Sequence, residues 1–453
     1  MPFVSSKNFS DINFKLLNIL FFCFPIAFLI GNGVTNIVTF LVCLIGIFAF
    51  SNKLHLIKNN LVSSTILAFF IILFSSTLLD IWEDPKNDHF FKSISYFRYF
   101  FLFLVTSFFI ESEKFNFKYF LISSFVCILF LSLDIIYQFI NGSDIFGFKG
   151  YESSKYHLSG FLKDEYIAGA YIQKFFIFSL VLFPFFLKKL ENKKFITSIF
   201  LTTIFFTGIL YSGNRMPLMM FIFSIFFIMI FIKNLRFPIV IGALLCSIIF
   251  YTSIKNNENL KSYYISFYSN VIFIADSIKK YSFEEYPELE NKKGKRFVNE
   301  VRKKDTEWVK KYKLIPYASG HAVTYLTAID LWTDSPIIGN GIKSFRIKCL
   351  NKLYLPNRNC QTHPHNYYLE LLNDTGLVGT LFLLFAIFFL LKNKFLNFKY
   401  YKKKEKLLAI CIFIIIISEF FPIRSTGSFF STYNSSFIFF VLGILNGLKK
   451  IKI

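Results

Sequence analysis

Long uninterrupted stretches of apolar residues recur along the chain, and each is closed by Lys, Asn or Gly. They lack the alternation of apolar and polar residues that is typical of a strand, and they far exceed strand length. Because a backbone in lipid must satisfy its own hydrogen bonds, they predict membrane-spanning helices. The predicted spans are 16–31, 34–50, 61–79, 97–110, 119–140, 170–187, 195–211, 216–232, 237–254, 376–391, 407–422 and 434–448.

The composition agrees with this pattern. Of 453 residues, 54% are hydrophobic, 21% are aromatic and 17% are charged, whereas a soluble chain carries about a quarter charged residues. A disordered chain, a secreted disulfide scaffold and an ordinary cytosolic enzyme are therefore excluded. The predicted fold class is an all-α polytopic membrane protein with about 12 transmembrane helices. Its predicted regions are a membrane bundle at 1–254, a large external loop of mixed helix and coil at 255–375, and the last spans at 376–453.

The formal net charge of +22 would also suit a nucleic-acid binder, so its distribution matters. Basic residues fall on alternate connections between the spans, as at Lys53 and Lys58, Lys114 and Lys118, and 392–406. The positive-inside rule then predicts cytoplasmic termini and a large loop on the opposite side. Membrane lipids explain these lysines better than nucleic acid does. The first apolar run lacks an A-x-A-like cleavage site and is expected to be a retained span.

Seven cysteines are present, and five of them lie in predicted spans, where they are expected to be packing residues. Cys349 and Cys360 are different, because both belong to the external loop just before a His-rich segment. We expect a disulfide between them in an oxidising compartment. A zinc site is disfavoured because no CxxC or matching quartet of His and Cys occurs.

The strongest chemical signal is the segment 362–372, THPHNYYLELL, which is followed by Gly376 and Gly379. His365 can take a proton from a hydroxyl because the unperturbed pKa of histidine lies near neutrality, and Asn366 can orient the ring or a substrate. The two glycines let the helix approach a neighbour closely. The alternative to a catalytic role is that this segment is only the capped start of a helix with a cluster of polar residues. His363 and His365 could also ligate a metal, although no third ligand is visible.

His365-Asn366, nine residues, Gly376, two residues and Gly379 match the pattern H-[NSQ]-x9-G-x-x-[GTY]. Residues 336–345, PIIGNGIKSF, match P-x-x-G-x-G-x-x-x-F, and no βαβ unit frames them as a dinucleotide site. Both patterns, with the large external loop, resemble the O-antigen ligase and polymerase superfamily.

The resemblance implies a GT-C-like glycosyltransferase of the bacterial inner membrane, with its large loop in the periplasm. Such proteins move a glycan from undecaprenyl diphosphate to a hydroxyl acceptor in surface polysaccharide biosynthesis. The acceptor is the lipid A core in a ligase and a second lipid-linked glycan in a polymerase. Inversion without a metal or another cofactor is implied.

External arginines suit this chemistry, since guanidinium binds phosphate oxygens bidentately. Arg215 follows the turn Ser212-Gly213-Asn214 and resembles the arginine of the family's R-x3-L motif, although Met219 replaces the usual Leu. The two predicted catalytic residues are His365, which would act as the base, and Arg215, which would bind the diphosphate. Arg98 and Arg424 are further candidates for substrate binding. Snorkelling at a helix end is the alternative for all three.

Other polar residues are candidates for substrate contact. Ligases usually carry a second loop arginine where this chain has His321, so the diphosphate role can pass to Arg346. This departure slightly favours a polymerase. Asp164 and Glu165 could bind sugar hydroxyls, or one of them could replace His365 as the base. Alternatively, they could be ordinary acidic residues at the start of a helix. His363 and Asn366 complete the predicted substrate-binding set.

The sequence is also compatible with two other classes of protein. A transporter or flippase of lipid-linked sugars should carry ionisable residues or broken helices in mid-membrane, often in matching halves. Asp134 and Glu419 fall near the outer ends of predicted spans, and no internal repeat is evident. A structural scaffold for export predicts no convergent set of His and Arg.

Overall fold

The computed structural model describes residues 6–83, 89–150, 156–163, 165–186, 193–281, 321–353, 358–425 and 427–449. Within them the regular elements are helices, apart from an isolated bridge between Ser143 and Lys149. The longer helices are α1 (Ser6–Ile30), α2 (Asn32–Phe50), α3 (Leu61–Glu83), α4 (Phe90–Glu111), α5 (Phe117–Asn141), α6 (Ala168–Phe186), α7 (Lys194–Ser212), α8 (Arg215–Phe231), α9 (Arg236–Asn256), α10 (Glu258–Tyr281), α11 (Ala322–Asp334), α12 (Tyr367–Leu396), α13 (Lys403–Glu419) and α14 (Thr432–Gly447).

Each predicted span falls on one of these helices. In the described part of the chain, nine helices are long and apolar enough to cross a membrane, namely α1 to α7, α9 and α12. The helices α8, α13 and α14 have 17, 17 and 16 residues, which is short for a hydrocarbon core of about 30 Å. The protein is thus a helical, multi-pass membrane protein, and twelve spans stay a prediction.

Phenylalanines at helical spacing make much of the core. On α1, Phe21, Phe24 and Phe28 are buried and share one face. The ring centroids of Phe24 and Phe440 lie 4.8 Å apart, and those of Phe28 and Phe175 lie 5.6 Å apart. Because lipid is as apolar as these side chains, contact between well-fitted rings stabilises the bundle more than exclusion from water does.

Helix α14 approaches α4 closely through two glycines. A Cβ built on Gly447 would lie 2.4 Å from the Ser107 carbonyl oxygen, and one on Gly443 would lie 2.8 Å from the Phe103 carbonyl oxygen. Gly443 and Gly447 have the spacing of a GxxxG motif, which allows two helix backbones to touch within a membrane. This contact fixes the end of α14 beside the second half of α4.

Polar side chains at the end of α5 organise the following loop. Asp134 is buried and accepts hydrogen bonds from the backbone N–H of Ile145 (3.1 Å) and of Phe161 (2.8 Å). Gln138 accepts one from the Gly160 N–H at 2.9 Å. Asp134 therefore holds a connection in place and is not a mid-membrane charge.

Part of the predicted external loop packs back onto the bundle as α10. The Tyr263 hydroxyl donates to the Gly213 carbonyl oxygen (2.5 Å), and the Tyr264 hydroxyl donates to that of Leu210 (2.7 Å). The helical spacing predicted for about 295–333 is described only from residue 321 onward, where α11 lies, and 282–320 fall outside the described residues.

Candidate active site

The loop 336–345 is joined to α12 at a break in that helix. Gly376 is not helical there (φ 62°, ψ −170°). In an unbroken helix the N–H groups of residues 377 and 378 would donate to the carbonyls of residues 373 and 374. The loop supplies replacements for all four groups: Leu377 N–H donates to Pro336 O (2.9 Å), Val378 N–H to Ile337 O (3.1 Å), Asn340 N–H to Asn373 O (2.7 Å) and Gly341 N–H to Asp374 O (3.0 Å).

Glycine is required on both sides of this exchange. A Cβ built on Gly376 would lie 2.3 Å from the Ile337 carbonyl oxygen, and one on Gly339 would lie 2.3 Å from the Gly376 nitrogen. Both glycines have positive φ, which disfavours other residues. Gly379 instead faces α3, where its Cβ would lie 3.2 Å from Ile72. The glycines of the two sequence patterns therefore fit against each other.

The buried carboxylate of Asp374 holds the far end of this loop. It accepts hydrogen bonds from the Lys343 N–H (2.6 Å), the Ser344 hydroxyl (3.2 Å) and the Asn373 amide (2.7 Å). Lys343 thereby adopts a left-handed backbone with φ 56°, which is uncommon for a residue other than glycine.

The same loop is anchored to the end of α3. The Ile342 N–H donates to the Thr77 hydroxyl at 3.0 Å. Lys348 forms an ion pair with the buried Asp80 and donates to the Asn340 side-chain oxygen at 3.1 Å. Loop, α3 and α12 therefore form one hydrogen-bonded unit.

His365 precedes the first turn of α12 and lies among other histidines. Its ring centroid is 4.1 Å from that of His363 and 4.7 Å from that of His321. Its Nε2 contacts the side-chain amide of Gln361. Burial lowers the pKa of His321, which favours its neutral form. Among the described residues, no group of three or more His, Cys, Asp or Glu side chains is arranged to hold a metal ion.

The first turn of α12 also holds the segment that connects α13 and α14. Asn366 caps the helix and donates from its Nδ2 to the Pro422 carbonyl oxygen at 2.9 Å. The Tyr368 hydroxyl donates to the Phe420 carbonyl oxygen at 2.6 Å. The buried Glu370 accepts from the Ser428 hydroxyl and the Phe429 N–H, both at 2.5 Å. The amide of Asn366 is thus occupied in shaping the backbone around His365.

Arg424 belongs to a buried charge cluster. Glu419 lies 3.0 Å from the Arg424 guanidinium and 2.6 Å from the Lys174 ammonium. Arg424 also donates to the Gln173 side-chain oxygen at 3.3 Å and to the Ser418 carbonyl oxygen at 3.1 Å. Since its side chain is only 4% exposed, this arginine ties α6 to the end of α13. Substrate binding by Arg424 stays a prediction.

Arg215 opens α8 and is held by aromatic rings of α10. Its guanidinium carbon lies 4.1 Å from the ring centroid of Tyr263 and 5.2 Å from that of Phe267, and it donates to the Tyr263 carbonyl oxygen at 3.3 Å. No carboxylate of the described residues pairs with it. A preorganised, unpaired guanidinium at a helix N-terminus is suited to bind an anion.

The remaining predicted residues are dispersed. Arg98 donates to Asn36 Oδ1 (3.0 Å) and to the Tyr99 hydroxyl (2.7 Å). Arg346 is exposed in the short helix Phe345–Lys348, and Glu165 is exposed before α6. Asp164 lies outside the described residues.

Cys349 and Cys360 have Cα atoms 5.1 Å apart, which is a separation that a disulfide spans. Their pairing in the cell stays a prediction.

These features define a multi-pass membrane protein in which three histidines lie together before α12. Residues 199–384 match the family model of the Wzy_C domain, O-antigen ligase. The match extends from α7 to the first half of α12, so it includes Arg215, the loop 336–345 and His365. This part of the chain is therefore similar to the O-antigen ligase family. No curated protein matches the chain at a significant level.

Replacement of Gly376 by Ala should destabilise the protein, because the new methyl group would collide with the Ile337 carbonyl and φ 62° is unfavourable for Ala. We expect a loss of about 2–4 kcal/mol, measured as a lower thermal midpoint or a lower yield of monodisperse protein. Gly33→Ala is the control, since a Cβ there meets nothing within 4 Å. Equal stability of the two variants would contradict the backbone exchange.

Glu419→Gln should leave Lys174 and Arg424 buried without a counter-charge. Breaking a buried pair in this way costs about 3–5 kcal/mol. The matched control is Glu258→Gln, which breaks the exposed pair with Lys261 and should change stability by no more than about 1 kcal/mol. Thermal unfolding in detergent compares them, and similar midpoints would refute a structural role for the cluster.

Proposed function

We propose that this protein is a membrane glycosyltransferase of the O-antigen ligase or polymerase type. It moves a glycan from undecaprenyl diphosphate to a hydroxyl acceptor, which is the lipid A core or another lipid-linked glycan. The observation that carries the proposal is the group of three histidine rings before α12, where the His365 ring lies 4.1 Å from that of His363 and 4.7 Å from that of His321. This group lies at the start of the helix to which the loop 336–345 is joined at Gly376. The similarity of residues 199–384 to the O-antigen ligase family supports the same chemistry.

In the proposed mechanism His365 is the general base. Its imidazole takes the proton of the acceptor hydroxyl while that oxygen attacks the anomeric carbon. The bond between the anomeric carbon and the diphosphate oxygen breaks, and attack from the opposite face inverts the configuration. The developing charge on the diphosphate is stabilised by Arg215, which the rings of Tyr263 and Phe267 hold in place. The reaction needs no metal or other cofactor.

The proposed orientation puts this site at the outer face of the bacterial inner membrane, in a GT-C-like bundle with cytoplasmic termini. The helix ends opposite to the site carry many lysines, including Lys53, which lies 3.8 Å from Glu111, and Lys449, which lies 3.9 Å from Glu113. Such an accumulation of lysines favours the cytoplasmic side.

A transporter or flippase of lipid-linked sugars is the second candidate. The observation in its favour is Lys174, which is buried within the candidate span α6, because charges inside spans often mark transport pathways. Its ion pair with Glu419 next to Arg424 accounts equally well for its presence. A flippase would move the lipid between leaflets without forming a glycosidic bond, so the product of the reaction separates the two candidates.

Glycan transfer by the purified protein from an undecaprenyl-diphosphate donor tests the proposal. His365→Ala should reduce the rate by at least about 100-fold, and Arg215→Ala by about 10²–10³-fold. Arg236→Ala is the control, since this arginine lies at the start of α9 and donates to the Met229 carbonyl oxygen at 2.6 Å; it should transfer like wild type.

Wild-type rates in both the His365 and the Arg215 variants would overturn the proposed site. Loss of transfer on addition of a chelator would instead favour a metal at His363 and His365.

A deletion strain distinguishes the two acceptors. If the protein is a polymerase, as the exchange of a loop arginine for His321 slightly favours, the strain should carry lipopolysaccharide with a single repeat. Long lipid-linked chains that stay unattached would indicate a ligase instead. Electrophoresis of its lipopolysaccharide, with the complemented strain as control, provides the measurement.

A further inference from the structure

Four cationic side chains, which we call the second cation set, lie on α4 and on the loop bonded to α3, and the charges of three of them act on the fourth, Lys343. Lys92 and Arg98 belong to α4, and Lys343 and Arg346 belong to the loop that crosses α3. Among the described residues, none of the four takes part in an ion pair. Two of these residues, Lys92 and Lys343, were not singled out by the sequence.

The fold brings these charges together by specific contacts. Lys343 owes its left-handed backbone to the hydrogen bond from its N–H to Asp374, and the preceding Ile342 is bonded to Thr77 of α3. Arg98 is held against the Tyr99 ring, with 4.4 Å between its guanidinium carbon and the ring centroid. Its partner Asn36 also accepts from the Thr432 hydroxyl at 3.1 Å. Two members of the second cation set, Lys343 and Arg98, are therefore held in place by the fold.

Repulsion within the set is only partly balanced by nearby acids. Burial lowers the pKa of Lys343, and the positive charges of Arg346, Lys92 and Arg98 lower it further. Glu370 acts on the pKa of Lys343 in the opposite direction, and Asp374 accepts a hydrogen bond from the backbone N–H of Lys343, but two carboxylates do not offset four cations. An added anion would relieve this repulsion and could accept hydrogen bonds from several donors at once.

The second cation set is distinct from Arg215. Helix α4 packs mainly against α2, α3 and α14, whereas α8, which begins at Arg215, packs mainly against α6, α7, α9 and α13. The pair α13 and α14, with the segment 420–431 between them, separates the two groups of cations. The first turn of α12, which follows His365, holds that segment through Asn366, Tyr368 and Glu370.

We propose that the second cation set binds the phosphate groups of the acceptor lipid, while Arg215 binds the diphosphate of the donor. This inference rests on the proposed function, because it assigns one phosphate-bearing lipid to each side of His365. The two acceptor candidates share this chemistry, since lipid A carries phosphates and a second lipid-linked glycan carries a diphosphate.

Native mass spectrometry of the purified full-length protein tests the inference by binding alone. The probes are lipid A, undecaprenyl diphosphate and phosphatidylglycerol, and the variants are K343Q/R346Q and R215Q. The matched control is K352Q, which removes a cation of the same loop that already pairs with Asp334 at 2.7 Å. R346K keeps the charge and should bind like wild type.

If the acceptor is lipid A, K343Q/R346Q should bind lipid A at least tenfold more weakly than wild type does. R215Q and K352Q should bind lipid A as wild type does. For a lipid-linked acceptor, wild type should retain two undecaprenyl diphosphates, and K343Q/R346Q and R215Q should each retain one.

Three results would overturn the inference. K343Q/R346Q could bind lipid A and undecaprenyl diphosphate as wild type does, or it could retain no undecaprenyl diphosphate at all. Its binding of phosphatidylglycerol could also be weakened as much as its binding of the other two probes. Because no transfer is measured, a failure here is distinguishable from a failure of His365 as the base.

Discussion

A helix that breaks inside a membrane protein leaves backbone donors and acceptors without partners, and each unsatisfied group costs several kcal/mol away from water. In α12 the break at Gly376 is stable because the loop 336–345 supplies two acceptors and two donors. That exchange fixes the loop on α12 and, through Thr77 and Asp80, on α3. The position of Lys343 depends on it.

The cations of this protein fall into two physical kinds. Lys174 and Arg424 are buried beside Glu419 and stabilise the junction of α6 and α13. Arg215 has no carboxylate partner among the described residues, and its contacts are with aromatic rings of α10. A paired, buried cation has little capacity left for a ligand, whereas an unpaired and oriented one retains it. This difference makes Arg215 a stronger candidate than Arg424 for holding a diphosphate.

Much of the fold could be predicted from the sequence, because long apolar runs in lipid can form little besides helices. The structural importance of Gly376 and of 336–345 was also visible, since short motifs preserve backbone chemistry. Their mutual hydrogen bonding was not, because pairing between segments about 30 residues apart leaves no periodic signal. Aromatic residues at helical spacing, such as Tyr263 and Phe267, were the available sign of α10.

Charged residues in or beside apolar runs were harder to interpret. Lys174 stands inside a predicted span and could have been noticed as an intramembrane charge, but its partner Glu419 lies far away in the sequence. Asn366 shows the converse difficulty: its place next to His365 suggested chemistry, and its amide in fact caps α12 and holds the Pro422 carbonyl. Residue type and spacing do not reveal which polar atoms the fold has already used.

The most direct measurement is an experimentally determined structure of the protein with an undecaprenyl-diphosphate-linked glycan bound. Diphosphate oxygens should lie within about 3 Å of the Arg215 guanidinium, with the anomeric carbon facing the ring of His365. A donor whose diphosphate lies away from Arg215, or whose anomeric carbon is out of reach of His365, would contradict the assignment of these two residues.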